Sequence, residues 1–167
     1  MKYKKGGVMK NVIIVIIAAL TLASCSTADK VARDERRREK AGMVAESIES
    51  GRYRVGVRTA YPARGGAVQV TGYYGLEVSG DSVTVYLPYF GRGFTLPYGG
   101  GRGLNFKAAM AEYKVRRVKR DRTRVDFLTG NDEDIYRFTV DIFDNGQVTV
   151  DVQPQQRSRI SYGGELE

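Results

Sequence analysis

From Arg52 onward apolar and polar residues alternate, and glycine-containing turns interrupt the alternation at short intervals. Tyr53, Val55 and Val57 share one side of the first segment, with Arg52, Arg54 and Arg58 on the other. Such period-two patterning predicts strands with one buried and one wet face. Val68 and Val70 bracket Gln69. Tyr74, Leu76 and Val78 alternate up to "SGDS", and Val83, Val85 and Leu87 alternate beyond it, so Gly80-Asp81 is read as a hairpin turn. Tyr136, Phe138, Val140 and Ile142 face one way, "DNG" (Asp144 to Gly146) turns the chain, and Val148, Val150 and Val152 return. Asn-Gly between alternating segments is a strong hairpin signal. Between these pairs lie two more strands, with Tyr113 and Val115 inward on one and Val125 and Phe127 inward on the other. A turn near Arg120-Asp121 joins them. Alternation fails between Val115 and Val118, and a β-bulge at Arg116-Arg117 would return both valines to the core side.

Ahead of the strands the period changes. Residues 29 to 40 are almost all charge and alanine, whereas Ala41, Val44, Ala45 and Ile48 fall at helical spacing before Gly51. This predicts a charged tether (25–40) running into a helix that docks by its C-terminal half. The fold class is therefore mainly β. About eight antiparallel strands form a sandwich or a partly closed barrel, with one N-terminal helix, in a single domain spanning 41–167.

The first 24 residues read differently. Lys2, Lys4, Lys5 and Lys10 precede an eleven-residue apolar run from Val12 to Leu22, and "LASC" follows. A basic head, a short apolar segment and small residues at a cleavage point describe a secretory signal. The run is shorter than the roughly 20 residues a spanning helix needs. "LASC" resembles the lipobox of bacterial lipoproteins, which implies lipidation of Cys25 and anchoring of residues 25–167 to a membrane. Met9 offers a second possible start for the same signal. Ser26 after the cysteine fits outer-membrane sorting by analogy, so the expected location is the cell envelope, on the outer membrane facing the periplasm.

Export changes the meaning of the charge. The formal net charge is +8, but four lysines and no acidic residue precede Cys25, leaving +4. A basic exported chain points away from nucleic acid and toward anionic envelope components. Cys25 is the only cysteine, so packing rather than disulfides must hold the fold.

"LPYFG" (Leu87 to Gly91), Asn145-Gly146 and "ISYGGEL" (Ile160 to Leu166) stand in order behind the lipobox. Together they resemble a family of small Bacteroidetes lipoproteins classed as domain of unknown function 4251. The resemblance runs roughly from the helix to the C-terminus. It implies a cell-envelope location and a mostly antiparallel β domain. The family brings no established activity, substrate or catalytic residue, so no functional residue carries over.

Candidate chemistry is sparse. The chain has no histidine, which removes the commonest general base and zinc ligand. No catalytic residue, metal site or cofactor is assigned. The glycines of "LPYFGRGFTLPYGGGRGLNF" match neither a dinucleotide fingerprint nor a phosphate loop, and the stretch reads as a long connection after a strand. "NDED" (Asn131 to Asp134) has oxygens that suit calcium but lacks EF-hand spacing, and it reads as a solvated turn. Asp126 and Asp141 are acidic residues on predicted strands, without a spacing that assigns them chemistry. Tyrosines 53, 61, 73, 74, 86, 89 and 98 read as half-buried cross-strand residues, with sugar stacking as the alternative.

The segment from Lys114 to Arg124 carries seven basic residues in eleven. A hairpin there places Lys114, Arg116, Arg122 and Arg124 on one solvent face, a candidate site for an anionic glycan or an envelope protein. The alternative is a wetted face that discourages strand pairing. Arg92 and Arg102 are further candidate contacts in the glycine-rich connection. The expected function is a non-catalytic binding or structural module. The alternatives are a carboxylate-dependent enzyme on envelope polymers and a carrier of a small apolar ligand.

Overall fold

The protein's structure is a computed structural model that describes residues 29–93 and 104–167. Cys25 and Arg102 lie outside the described residues. The chain divides into two compact units, Met1–Glu39 and Lys40–Glu167. The first contributes helical residues 29–39, and the second holds the rest of the helix, which ends at 49, and all the strands. Val44 and Ile48 are buried, as their spacing predicts, whereas Ala45 is exposed.

The strands are β1 (Arg52–Pro62), β2 (Val68–Gln69), β3 (Gly75–Ser79), β4 (Ser82–Leu87), β5 (Leu104–Ala109), β6 (Ala111–Lys119), β7 (Arg122–Gly130), β8 (Ile135–Phe143), β9 (Gln147–Pro154) and β10 (Ile160–Leu166). They form one sheet in the order β5-β4-β3-β1-β10-β9-β8-β7-β6, with β2 beside β1. All neighbours are antiparallel. The sheet curls into a half-barrel, the partly closed barrel rather than the sandwich. Met110 alone separates β5 from β6, the two ends of the order, and the Thr129 hydroxyl on β7 donates to the Ala109 carbonyl at 2.9 Å.

The inner face follows the alternation. Phe127 and Phe138 stack with centroids 5.0 Å apart, and Phe106 stacks on Tyr136 at 5.1 Å. Burying each large apolar side chain contributes about 1.5–3 kcal/mol. Two glycines are required where backbones or turns leave no alternative. Gly146 turns β8 into β9 at φ 83°, and a Cβ there would also meet Lys40 Cε at 2.9 Å. At Gly164 a Cβ would lie 2.0 Å from the Gly56 carbonyl oxygen, because β1 bulges between Val57 and Thr59 and presses onto β10.

Three expectations need correction. β5 and β10 were not foreseen as strands, so ten replace about eight. The register of β6 against β7 shifts twice, between Ala111 and Lys114 and between Arg117 and Lys119, and not at Arg116-Arg117. Neither valine reaches the core: Val115 is 47% and Val118 40% exposed. Among the described residues β6 pairs only with β7, and no further strand covers its other edge. Val118 sits at the second register shift itself.

Candidate functional site on the outer face

Inward residues of β7 to β9 leave the intervening ones on the outer face, and the register sets these in rows. One row runs Tyr61, Ser161, Asp151, Thr139, Asp126, Lys114. The next contains Gly163, Thr149, Asp141, Arg124 and Arg116. The hairpin thus brings Lys114, Arg116, Arg122 and Arg124 to one face, as the sequence predicts. Arg92 belongs elsewhere: it is exposed, and its carbonyl accepts the Ser158 amide at 2.9 Å.

These cations are not a bare patch, because carboxylates stand between them. Arg124 grips Asp141 through two parallel bonds, Nε to Oδ1 at 2.7 Å and Nη2 to Oδ2 at 2.8 Å. Arg122 Nη1 reaches the same carboxylate at 3.4 Å. Arg116 donates to Asp126 Oδ2 at 2.7 Å, and the Thr139 hydroxyl donates to Oδ1 at 2.7 Å. Arg159 holds Asp151 through Nε at 2.6 Å and a second contact through Nη2. Bidentate guanidinium–carboxylate bonds are the stronger, directional kind. The hydrogen bonds from Arg124, helped by the charges of Arg124, Arg122 and Arg116, hold the Asp141 carboxyl below its usual range despite burial. Asp141 is therefore a poor proton donor at neutral pH.

Sequence reasoning missed Arg137 and Arg159 as members of this face. The Arg137 side chain makes no hydrogen bond among the described residues, and its nearest carboxylate there is Glu112 at 4.0 Å. A groove of about 300 Å³ is lined by Arg124, Arg137, Asp141, Asp151, Gln153 and Arg159 around Thr139 and Thr149. A second groove, of about 280 Å³, shares Thr149 and extends past Gly163 to Tyr61, Arg58 and Glu165. The alternation already placed Arg137 on the outer face; what it could not show was that its acidic neighbour, Glu112, stands at long range.

A second polar constellation is buried. The Asp134 carboxylate accepts the amides of Ile135 (2.8 Å), Gln155 (3.0 Å) and Gln156 (3.1 Å). Arg157, with a side chain only 2% exposed, bonds Glu133 and approaches Asp134 at 3.9 Å. Its guanidinium lies 5.7 Å from the Tyr89 ring centroid. The solvated-turn reading of "NDED" is thus overturned at Asp134, which is a buried acceptor. Among the described residues no group of acidic or cysteine side chains is placed to hold a metal.

"LPYFG" and "ISYGG" meet beside this constellation. The Tyr162 hydroxyl donates to the Pro88 carbonyl at 2.8 Å, and Tyr89 donates to the Ser158 carbonyl at 2.7 Å. Of the tyrosines expected to be half-buried, Tyr74 and Tyr89 are, but Tyr53 is buried, Tyr61, Tyr73 and Tyr86 are exposed, and Tyr98 lies outside the described residues. Burial pushes the Tyr136 hydroxyl up to about 12, against the opposing pull of Arg157.

Residues 35–166 match the family model described as domain of unknown function (DUF4251). No curated protein matches the sequence. Among solved structures, the crystal structure of a DUF4251 family protein from Bacteroides eggerthii has the same fold, with a TM-score of 0.58. The two share 15% sequence identity, and the likeness covers 76% of this chain and 86% of that one.

Proposed function

The chain belongs to the DUF4251 family, and from that premise we propose that it is a lipid-anchored, non-catalytic module of the cell envelope that binds an anionic envelope component through the outer face of β6 to β10. The observation that carries this reading is the arginine–aspartate ladder. Lys114, Arg116, Arg122, Arg124, Arg137 and Arg159 are interleaved with Asp126, Asp141 and Asp151 on a single face, with Glu112 and Glu165 at its margins. Carboxylates that orient the guanidiniums reduce the ordering that a ligand would otherwise impose. The enzyme alternative is disfavoured because Asp126 and Asp141 are both engaged by arginines. The carrier alternative is disfavoured because stacked aromatic rings occupy the inner face.

The anchor rests on Cys25 in "LASC", and no helix among the described residues is long and apolar enough to cross a membrane. The location this implies is the outer membrane, facing the periplasm. In native cells Cys25→Ala should move the protein from the membrane to the soluble fraction; continued membrane fractionation refutes the anchor. For binding, neutralising Lys114 and Arg116 together should lower retention on a sulfated dextran matrix, and unchanged retention refutes a role for the hairpin. Arg122 and Arg124 are unsuitable targets because their loss would strand the Asp141 carboxylate.

A further inference from the structure

We infer that the two adjoining outer-face grooves form one track for a linear, sparsely charged acidic oligosaccharide, with Tyr61 stacking on a sugar ring and Arg137 receiving a carboxylate. The inference rests on the reading of the outer face as an anion-binding surface and deepens it by naming the ligand class.

The floor of the track is low. Gly163 and Gly164 on β10 have no side chain and Thr149 on β9 and Thr139 on β8 have small ones, while arginines, Gln153 and Tyr61 rise around them. Tyr61 is 49% exposed, and its ring lies 3.4 Å from where a Cβ on Gly163 would be. The ring thus lies against the sheet at Gly163 while about half of the residue stays open to a ligand. An aromatic face carries negative electrostatic character, which suits the C–H-rich face of a pyranose. Arg137, with a side chain 53% exposed, meets a carboxylate of the sheet only at long range, Glu112 on β6 at 4.0 Å, which leaves most of its fork of donors to a ligand. A planar fork of this kind matches a carboxylate bidentately.

The sign pattern selects among anions. Asp151, Asp141 and Glu165 lie along the same track. They would repel a chain charged at every unit, such as a polyphosphate, but accept bonds from sugar hydroxyls. Thr139 and Thr149 add further polar partners. Alternating acceptors and donors therefore fit a polyhydroxylated chain with occasional charges. The span fits as well. Three strand intervals separate β1 from β8, about 14 Å at the usual interstrand spacing. That is room for a short run of sugar units.

The test measures binding of the purified Cys25→Ala chain to polygalacturonate, neutral dextran, sulfated dextran and inorganic polyphosphate. The unaltered track should favour polygalacturonate over both dextran and polyphosphate. Tyr61→Ala and Arg137→Gln should each weaken that binding about tenfold, the equivalent of 1.4 kcal/mol, with unchanged thermal stability because both side chains are exposed. Wild-type binding by both variants, or preference for polyphosphate, overturns the track. If Lys114 and Arg116 neutralisation abolishes binding while those variants retain it, the anion-binding face survives and the track does not. Failure to bind any anionic polymer overturns both.

Discussion

Replacing Asp134 with alanine separates a buried acceptor from a solvated turn. The substitution strips the acceptor from the amides of Ile135, Gln155 and Gln156 and leaves Arg157 with Glu133 as its acidic partner. A buried donor without a partner costs about 1–3 kcal/mol, and breaking a buried charge pair about 3–5 kcal/mol. Water admitted to the vacated space satisfies some of the donors, so the expected loss is about 4 kcal/mol, a large part of the 5–15 kcal/mol typical of a domain. Asp134→Asn keeps one acceptor oxygen but loses the charge, and should cost about 2 kcal/mol. Asp132, two residues away and exposed, provides the control: its alanine variant should stay within about 0.5 kcal/mol. Urea unfolding of the Cys25→Ala chain, followed by tyrosine fluorescence, gives the shifts as changes in midpoint at constant slope. If Asp134→Ala loses less than about 1 kcal/mol and cannot be told from Asp132→Ala, the carboxylate is not the clamp described.

Gly164→Ala should lower the melting temperature by on the order of 10 °C, since overpacking costs about 1–3 kcal/mol or more and the clash is with main-chain oxygen. A melting temperature matching wild type refutes the close approach. At Asp141 the folded carboxyl has its pKa lowered from 3.8, chiefly by hydrogen bonds from Arg124. Its stabilisation is therefore complete above that value and is lost as pH falls from 3.8 through the lower folded value. Asp141→Asn should flatten the acid limb of stability against pH; identical limbs in the two proteins refute the assignment.

The β3–β4 and β8–β9 hairpins were legible because both side-chain alternation and turn chemistry announced them. β10 was not, although it sits centrally between β1 and β9. Its Gly163 and Gly164 have no side chain with which to declare a face. β5 hid behind Ala108, Ala109 and Lys107, residues of weak strand preference. The hairpin cations were legible, but their neutralisation was not: Arg124 and Asp141 lie 17 residues apart, and only the β7–β8 register joins them. Asp134 was misjudged for a related reason. Asn and Asp suit turns locally, while the amides that bury this carboxylate lie 21 and 22 residues downstream. The strand patterning correctly placed Val115 on the side of Val125, but patterning cannot report whether anything covers that side.

The strand order has a consequence for how the molecule is assembled. β1, β3, β4 and β5 form one run of sequential neighbours, and β6 to β10 form another. The β1–β10 ladder is where the two runs join within the sheet. Each run can pair from local contacts, but their union closes a loop of about a hundred residues, the slow, non-local kind of step. Until β10 is delivered, β1 and β9 each present an unpaired edge, the template on which strands of other molecules add. A chain folding as it emerges is thus most exposed to misassembly just before its final strand arrives. Lesions in "ISYGGEL" should then appear as lost yield before they appear as lost binding.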